Sequence, residues 1–201
     1  FLVKSRHPRA VLYNDMSVLQ NYNVATCFQL LEDPEMNFLL NFDTDVQDVF
    51  RWSLIKIILK QDLTKHLDEL GILKTKLAKE AFPSDSLEDR LLLVSACVRV
   101  SDISWTCRPL SMFMRWSDFY MEEMFAQGDL EKQLGLPVHP FTDRDAVAPS
   151  RVMLGYVVVM VQPFINVWSA IFPFFQKELI EDGLDMNRRY LESKVQSDFI
   201  G

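Results

Sequence analysis

The sequence predicts an all-α fold, and three observations support this. Apolar residues recur every three or four positions over long stretches, and the strict alternation of apolar and polar residues that marks a strand is nearly absent. Helix-capping residues precede several of these stretches. The chain has 201 residues without a repeat, low-complexity stretch or linker, so residues 1–201 are predicted to form one domain whose core needs no disulfide or metal.

The helices of the first half begin at recognisable capping residues. Ser17 and Gln20 fit a capping box that opens a helix running to about Leu31. Asp43–Thr44 can cap a second helix, whose apolar positions continue through the sequence KQDLTKH to a predicted break at Gly71.

The second half continues the helical pattern. After the turn FPSDS, Ser86 is expected to cap the helix LEDRLLLVSACVRV. The next helix is predicted to end at Gln127–Gly128. Its amphipathic stripe consists of Met112, Phe113, Trp116, Phe119, Tyr120 and Phe125. A loop with the sequence GLPVHPFTDRDAVAP, a long apolar helix and a final helix from about Asp185 to Ser197 complete the prediction.

The apolar stretch Val152–Gln176 needs a membrane test, because it carries no charge and is long enough to span a bilayer. Gln162, Pro163, Asn166 and Pro173 interrupt it, and no basic cluster flanks either end. A central helix surrounded by an all-α core explains the same pattern. Membrane insertion is therefore not expected, and this stretch is the one to test.

Charge and cysteine usage restrict the partners and the compartment. The net charge of −7 argues against nucleic acid, whose phosphates call for a basic face. Cys27, Cys97 and Cys107 are an odd, scattered set without C-x-x-C spacing. They predict buried thiols in a reducing, intracellular compartment rather than a disulfide framework.

The types and spacing of the reactive residues alone do not identify a catalytic or metal site. Histidine is scarce, and Asp62 and His66 are four positions apart on one predicted helix face, a spacing that could hold a metal. A solvated or helix-capping pair explains the same spacing, and a metal site needs three or four groups. No glycine-rich phosphate loop is present. From these residues alone, the chain is a helical domain of unknown function.

Several motifs, in the same order, resemble those of the class I cyclic-nucleotide phosphodiesterases. The first is VLYNDMSVLQNYNVATCFQLL, which resembles the family's L-Y-N-D-x-S-V-L-E-N-H-H-x-A-x-x-F-x-L-L. Others are IILKQDLTKH, VSDISWTCRPL and LGYVVVMVQPFINVW, which resemble I-L-A-T-D-M-S-K-H, A-D-x-S-N-P-x-x-P-L and V-G-F-I-x-x-x-V-x-P-x-x-x-x-W. The resemblance covers almost the whole chain. It implies a compact multi-helix domain of the HD-superfamily type whose N-terminal helices are missing from this chain.

The resemblance also implies a metal centre that this chain supplies only in part. In that family two metal ions activate a bridging hydroxide, and two histidines and two aspartates hold the tighter ion. Asp102 alone matches one of these ligands, because the others belong to motifs N-terminal to this chain. No cofactor is therefore expected in this chain, whereas Zn²⁺ or Mg²⁺ is expected if the parent protein is active. Without a metal, Asp102 is a helix-terminal aspartate in a turn.

Residues that support the metal site in the family are altered here, and such partners matter about 10–100-fold for affinity or activity. Tyr22 and Asn23 replace both histidines of E-N-H-H, and Gln20 replaces its glutamate. Gln61 replaces the threonine of T-D-M-S-K-H. The supporting positions in this chain are Asn21, Tyr22, Asn23, Gln61, Asp62 and His66.

The nucleotide pocket implied by the resemblance is altered further. Met153 stands where the family reads the base with a glutamine, and a thioether cannot supply an amide's paired donor and acceptor. Each group left unpaired costs about 1–3 kcal/mol. Tyr156 replaces the stacking aromatic conservatively, and an aromatic in a core helix explains it equally well. Trp105 replaces the asparagine of A-D-x-S-N-P.

Two functions follow from these substitutions. The favoured one is a catalytically inactive phosphodiesterase-like domain, retained as a structural or protein-interaction module in a larger assembly. The alternative is a divergent, active, metal-dependent cyclic-nucleotide phosphodiesterase whose site is completed by residues upstream. The acidic surface and uncovered apolar helices are expected to bind protein partners, and the isolated chain is expected to aggregate.

Overall fold

The computed structural model describes residues 1–79 and 82–200, with side chains as far as Asp198. These residues form helices and no strand, which confirms the all-α prediction. They fall into two compact units, residues 2–98 and residues 99–201 together with Phe1. The assignment of residues 1–201 to a single domain stays a prediction.

The N-terminal unit is built from four helices and the first part of a fifth, among the residues that the structure describes. They are α1 (Pro8–Leu12), α2 (Val18–Leu30), α3 (Thr44–Lys60), α4 (His66–Leu77) and α5 (Leu87–Ile103). The predicted starts of α2, α3 and α5 are confirmed to within a residue. No residue of α3 is buried.

The capping box predicted for α2 does not form. Ser17 occupies the N-cap position with a φ of 43°, and its side chain makes no cap hydrogen bond. The Ser17 side chain instead helps to lower the pKa of the Asp62 carboxyl group. Asn21 closes the first turn, because its Nδ2 donates to the carbonyl of Met16 at 2.8 Å. Likewise, Asp43 precedes α3 without a side-chain cap bond.

The prediction of one helix continuing to Gly71 was wrong, because the chain breaks after Lys60. Asp62 accepts a hydrogen bond from the backbone N–H of Thr64 at 2.9 Å and caps a 3₁₀ turn. Such local bonds compete with helix continuation. Helix α4 then starts at His66 and passes through Gly71. Asp62 and His66 therefore do not share a helix face, and the metal-pair spacing is lost.

The predicted cap of α5 is confirmed. Ser86 Oγ accepts a hydrogen bond from the backbone N–H of Asp89 at 3.2 Å. The Asp89 carboxylate bonds the Lys76 ammonium and Ser84, which connects α5 to α4. The expectation of three buried thiols is confirmed only at Cys107, because Cys97 is exposed on α5 and Cys27 is half-buried.

The C-terminal unit contains the end of α5 and four further helices in its described part. They are α6 (Leu110–Gln133), α7 (Pro149–Tyr156), α8 (Gln162–Ile171) and α9 (Asp185–Ile200). A π-helical stretch, Val157–Val161, joins α7 to α8, and another, Gln176–Leu184, precedes α9. The fully buried side chains include Phe113, Met153, Val157, Val161, Phe164, Ile165 and Leu184.

Gly128 does not end α6, which continues to Gln133. A Cβ atom at Gly128 would lie 1.9 Å from the backbone oxygen of Thr142, so this position must be glycine for the loop to approach α6. Lys132 holds the same loop by ion pairs to Asp143 at 2.6 Å and Asp145 at 2.7 Å. The glycine is thus a packing residue rather than a helix terminator.

Within the described residues, the helical stretch Pro149–Ile171 is the one long and apolar enough to cross a membrane. The core helix of a soluble protein passes the same test. Val157, Val161, Phe164 and Ile165 in this stretch are fully buried in the C-terminal unit. That burial is what the core-helix interpretation of Val152–Gln176 requires, and the absence of membrane insertion stays a prediction.

Candidate functional site

The candidate site is an open groove of about 540 Å³ in the C-terminal unit. Asp102 and Glu123 contribute carboxylates to it, and Trp105, Trp116 and Tyr120 contribute aromatic rings. We call it the aromatic groove. It contains Asp102, the position that the resemblance assigns to a metal ligand.

A short 3₁₀ turn, Ser104–Cys107, follows α5 and carries Trp105 into the groove. Asn187 of α9 anchors this turn, because its Nδ2 donates to the carbonyls of Thr106 and Arg108 at 2.8 Å each. Asn187 is almost fully buried, so these bonds are shielded from water. The position of Trp105 thus depends on a side chain more than 80 residues away in sequence.

Helix α6 presents two rows of side chains, each spaced by about four residues. Phe113, Met121 and Phe125 are buried in the core, whereas Trp116 is half exposed and lines the groove together with Tyr120. The predicted single stripe was therefore wrong: its members are divided between the core and the groove. One face of α6 therefore packs in the core, and an adjacent face lines the groove.

Three rings of this unit contact one another. Tyr120 stacks on Tyr156 with ring centroids 5.1 Å apart and an interplanar angle of 29°. Trp105 lies 6.3 Å from Tyr156 at 14° and 6.0 Å from Tyr120 at 35°. The ring that the resemblance assigns to base stacking is thus engaged by two rings of the same chain.

Both phenols are held in the neutral form. Burial raises the pKa of Tyr156 well above its ordinary value, and the neighbouring Tyr120 and Asp102 raise it further. Burial also raises the pKa of Tyr120, with a contribution from the Glu123 carboxylate. Neither hydroxyl can therefore act as a base near neutral pH.

Met153 lies in a different place from the ring cluster. It is 2% exposed and lines a second cavity, of about 160 Å³, together with Phe113, Met121 and Tyr190. Tyr156, three positions further along the chain in α7, instead contacts Trp105 and Tyr120. The structure places Tyr156 against the groove's rings, whereas Met153 is a core side chain.

Asp102 offers a single carboxylate. It is exposed, and the described residues contain no group of three histidine, cysteine or acidic side chains placed to hold a metal ion. Structural and catalytic zinc sites use three or four protein ligands. The described residues therefore supply one ligand position, Asp102, of the metal centre that the resemblance implies.

The supporting positions in the N-terminal unit have structural partners. Asn21 closes the first turn of α2. The guanidinium carbon of Arg9 lies 3.6 Å from the ring centroid of Tyr22, a cation–π contact, and Asn23 is exposed. Partial burial would raise the pKa of Asp62, but hydrogen bonds from Ser17 and the Thr64 turn outweigh it and lower that pKa.

Gln61 and His66 belong to a buried polar region of this unit. Gln61 Nε2 donates to the backbone oxygen of Ser95 at 3.2 Å. Ser95 Oγ in turn donates to Glu69 Oε1 at 2.6 Å, and His66 is 1% exposed. These side chains connect the end of α3 and α4 to α5, so Gln61 serves packing where the resemblance would place a metal-supporting threonine.

Sequence reasoning missed Tyr120 and Glu123 as groove residues. Tyr120 was assigned to the core stripe, and Glu123 was not considered. The sequence signal that could have identified them is the number of apolar residues in α6, which is too large for one helix face. A second face of aromatic residues next to a carboxylate indicates a surface with a role beyond packing.

The sequence is similar to those of known cyclic-nucleotide phosphodiesterases. A family model described as 3'5'-cyclic nucleotide phosphodiesterase matches residues 1–181. A probable 3',5'-cyclic-AMP phosphodiesterase of Caenorhabditis elegans is 31% identical over 202 residues, covering 97% of this chain and 30% of that protein. A high affinity cGMP-specific 3',5'-cyclic phosphodiesterase 9A of Homo sapiens is 32% identical over 194 residues, covering 96% and 32%.

Solved structures share the fold. The phosphodiesterase domain of the RhoPDE fusion protein from the choanoflagellate Salpingoeca rosetta superposes with a TM-score of 0.93 at 25% identity, covering all of this chain and 64% of that one. LmjPDEB1 in complex with IBMX gives a TM-score of 0.89 at 22% identity, over 98% of this chain and 59% of that one. This chain thus spans about a third of the length of these curated relatives and under two thirds of these solved structures.

Proposed function

This chain belongs to the 3'5'-cyclic nucleotide phosphodiesterase family, and from that premise we propose that it is a catalytically inactive member. In this proposal the domain is retained as a structural or protein-interaction module of a larger assembly. One observation carries the proposal: Tyr120 and Trp105 stack on Tyr156, the aromatic that would otherwise stack on a base.

The energetic argument concerns base binding. An aromatic pair contributes about 0.5–1.5 kcal/mol beyond its buried area, so inserting a base against Tyr156 would sacrifice contacts with Tyr120 and Trp105. Met153 adds to the cost, because it is a buried thioether and offers no amide to the base edge. Binding of a purine would therefore gain little stacking energy, because Tyr120 and Trp105 already stack on Tyr156.

The metal argument is independent of the base. Asp102 is the single family ligand in this chain, and its carboxylate faces the aromatic groove without two further protein ligands from the described residues. The altered positions Tyr22, Asn23 and Gln61 have structural partners or lie exposed. The altered supporting positions are what favours a weakened or lost metal centre, with Asp102 as a residual ligand position.

A second candidate function rests on the family match itself. The relatives are cyclic-nucleotide phosphodiesterases, and this chain spans only about a third of them. A parent protein could supply the remaining metal ligands from residues upstream of this chain. In that case the parent would be a divergent, metal-dependent cyclic-nucleotide phosphodiesterase that uses Asp102 as one ligand.

Hydrolysis of cyclic AMP and cyclic GMP by the full parent protein, with Mg²⁺ or Zn²⁺ added, tests the proposal. We expect no turnover above a blank, although circular dichroism shows a folded helical protein. Turnover that disappears in Asp102→Ala and persists in the exposed control Asp68→Ala would refute the proposal in favour of the active enzyme. Both substitutions remove one carboxylate, so they differ only in position.

A further inference from the structure

A second surface, in the N-terminal unit, combines exposed apolar side chains with a run of carboxylates. It comprises the segment 31–43 and the first half of α3, and we call it the acidic–apolar surface. Its large apolar side chains are between 46% and 62% exposed. They are Met36, Phe38, Leu40, Phe42, Val46, Val49 and Trp52. An apolar set of this size on one segment is typical of an interaction site.

The charges of this surface are predominantly negative, and Arg51 is the one base between residues 31 and 52. Residues 31–50 contain six acidic side chains and no basic one. The acidic residues are Glu32, Asp33, Glu35, Asp43, Asp45 and Asp48, and all six are exposed. Among the described residues none of these carboxylates takes part in an ion pair, so their charge is available to a partner.

Helix α3 presents an organised face rather than a scatter of apolar residues. Val46, Val49 and Trp52 are spaced by three, which places them along one side of the helix. Phe38 packs edge-on against Phe50, with centroids 5.6 Å apart, and so attaches the preceding segment to α3. Because no residue of α3 is buried, this 17-residue helix has packing capacity left unused.

Two bases of α3, Arg51 within this surface and Lys56 beyond it, contact aromatic rings. The guanidinium carbon of Arg51 lies 4.2 Å from the ring centroid of Phe28 in α2. Lys56 Nζ lies 5.6 Å from the ring of Trp52, which shows that a cation is accommodated beside this tryptophan. Neither base offsets the carboxylates of residues 31–50 by a direct ion pair.

We propose that the acidic–apolar surface binds a basic amphipathic segment of a partner protein. The apolar side of that segment would cover Val46, Val49 and Trp52, and its lysines or arginines would lie opposite the carboxylates. This inference deepens the proposed interaction role and rests on it. A second copy of the chain fits poorly, since an isologous contact would bring like charges together. An anionic membrane would be repelled for the same reason.

The test uses two labelled 18-residue helical peptides with the same leucine pattern, one carrying lysines and the other glutamates. Binding to the full parent protein is followed by fluorescence anisotropy. We expect the lysine peptide to bind at least tenfold more tightly, with an affinity that falls as salt rises. Val49→Asp should weaken this binding at least tenfold, whereas Phe174→Asp, at another exposed apolar position, should leave it unchanged.

The double variant Asp45→Asn with Asp48→Asn keeps the apolar side chains and removes two charges. It should weaken binding of the lysine peptide several-fold and flatten its salt dependence, and Glu181→Gln should do neither. Circular dichroism establishes that each variant is folded.

Other occupants would give different results, and each would overturn the proposal. Equal binding of both peptides, or of neither, contradicts charge recognition. Protection of α3 from hydrogen exchange in the peptide-free parent would assign the surface to another part of that protein. Dimerisation abolished by Val49→Asp would assign it to a second copy, and binding to phosphatidylserine vesicles would assign it to a membrane. Cyclic-nucleotide turnover is measured in parallel. Turnover would refute only the proposal that the protein is catalytically inactive, and the peptide experiment would still test the binding role of this surface.

Discussion

Replacing Gly183 with alanine should loosen the turn that carries Trp105. A Cβ atom at Gly183 would lie 2.1 Å from the backbone oxygen of Cys107 and 2.8 Å from its carbonyl carbon. Because these are backbone atoms, they cannot rotate away as the end of a side chain could. The turn or the helix must therefore shift as a unit.

The size of the effect follows from the distance. Carbon and oxygen atoms in contact normally lie about 3.3–3.6 Å apart, so relief of the clash needs a displacement of more than about 1 Å. Asn187 resists that displacement through its two 2.8 Å bonds to the turn. Overpacking of this kind costs about 1–3 kcal/mol, and we expect Gly183→Ala to lower the stability of the turn by that amount.

Gly155 supplies the matched control, since it is also helical and a Cβ there would meet nothing within 4 Å. Gly155→Ala should stabilise its helix by about 1 kcal/mol, because alanine is the better helix former. Hydrogen exchange of the full parent, resolved to peptides covering residues 104–110, measures the local opening free energy. If Gly183→Ala leaves exchange in this turn unchanged or slows it, the close contact between Gly183 and Cys107 is refuted.

Three further predictions concern buried or paired polar groups. Asn187→Ala should destabilise the same turn by about 2–4 kcal/mol, because two backbone carbonyls lose their donor; exchange no faster than wild type would contradict this. Ser95→Ala removes the hydroxyl that donates to Glu69 and should cost about 1–3 kcal/mol in urea unfolding, whereas Ser53→Ala should change little. Hydrogen bonds from Lys76 and Ser84 lower the pKa of Asp89 from 3.8 to about 2. The stabilisation from Asp89 should thus be complete above about pH 4 and lost as the pH falls towards 2, and Asp89→Asn should abolish this acid dependence in thermal melts. An unchanged acid profile in that variant would count against the pair.

Local signals predicted the helices well where a side chain acts on its own neighbours. Ser86 caps α5 as expected because the bond to Asp89 lies within one turn. Ser17 has a similar local pattern, but its φ of 43° lies outside the extended region that N-cap residues normally adopt, and its side chain makes no cap bond. A capping motif therefore fails where the preceding chain sets a backbone conformation that keeps the side chain from the helix N–H groups.

The candidate site could be predicted only in part. Motif order indicated Asp102, Trp105 and Tyr156, because a resemblance to a family maps single positions. It could not indicate that Tyr120 would stack on Tyr156, since that contact joins α6 to α7 across 36 residues. Nor could it indicate that Met153 would line a separate cavity, because burial depends on which elements pack nearby.

The sequence by itself determined the all-α class, the approximate helix starts and the family, and it predicted the loss of the family's amide and histidine positions. These are properties of single residues and of spacing along the chain. Only the tertiary structure decided which row of α6 is buried, why Gly128 and Gly183 lie inside helical stretches, and which face of α3 remains uncovered. Those outcomes depend on contacts between segments far apart in sequence, where steric fit and competition for hydrogen-bond partners override local preference.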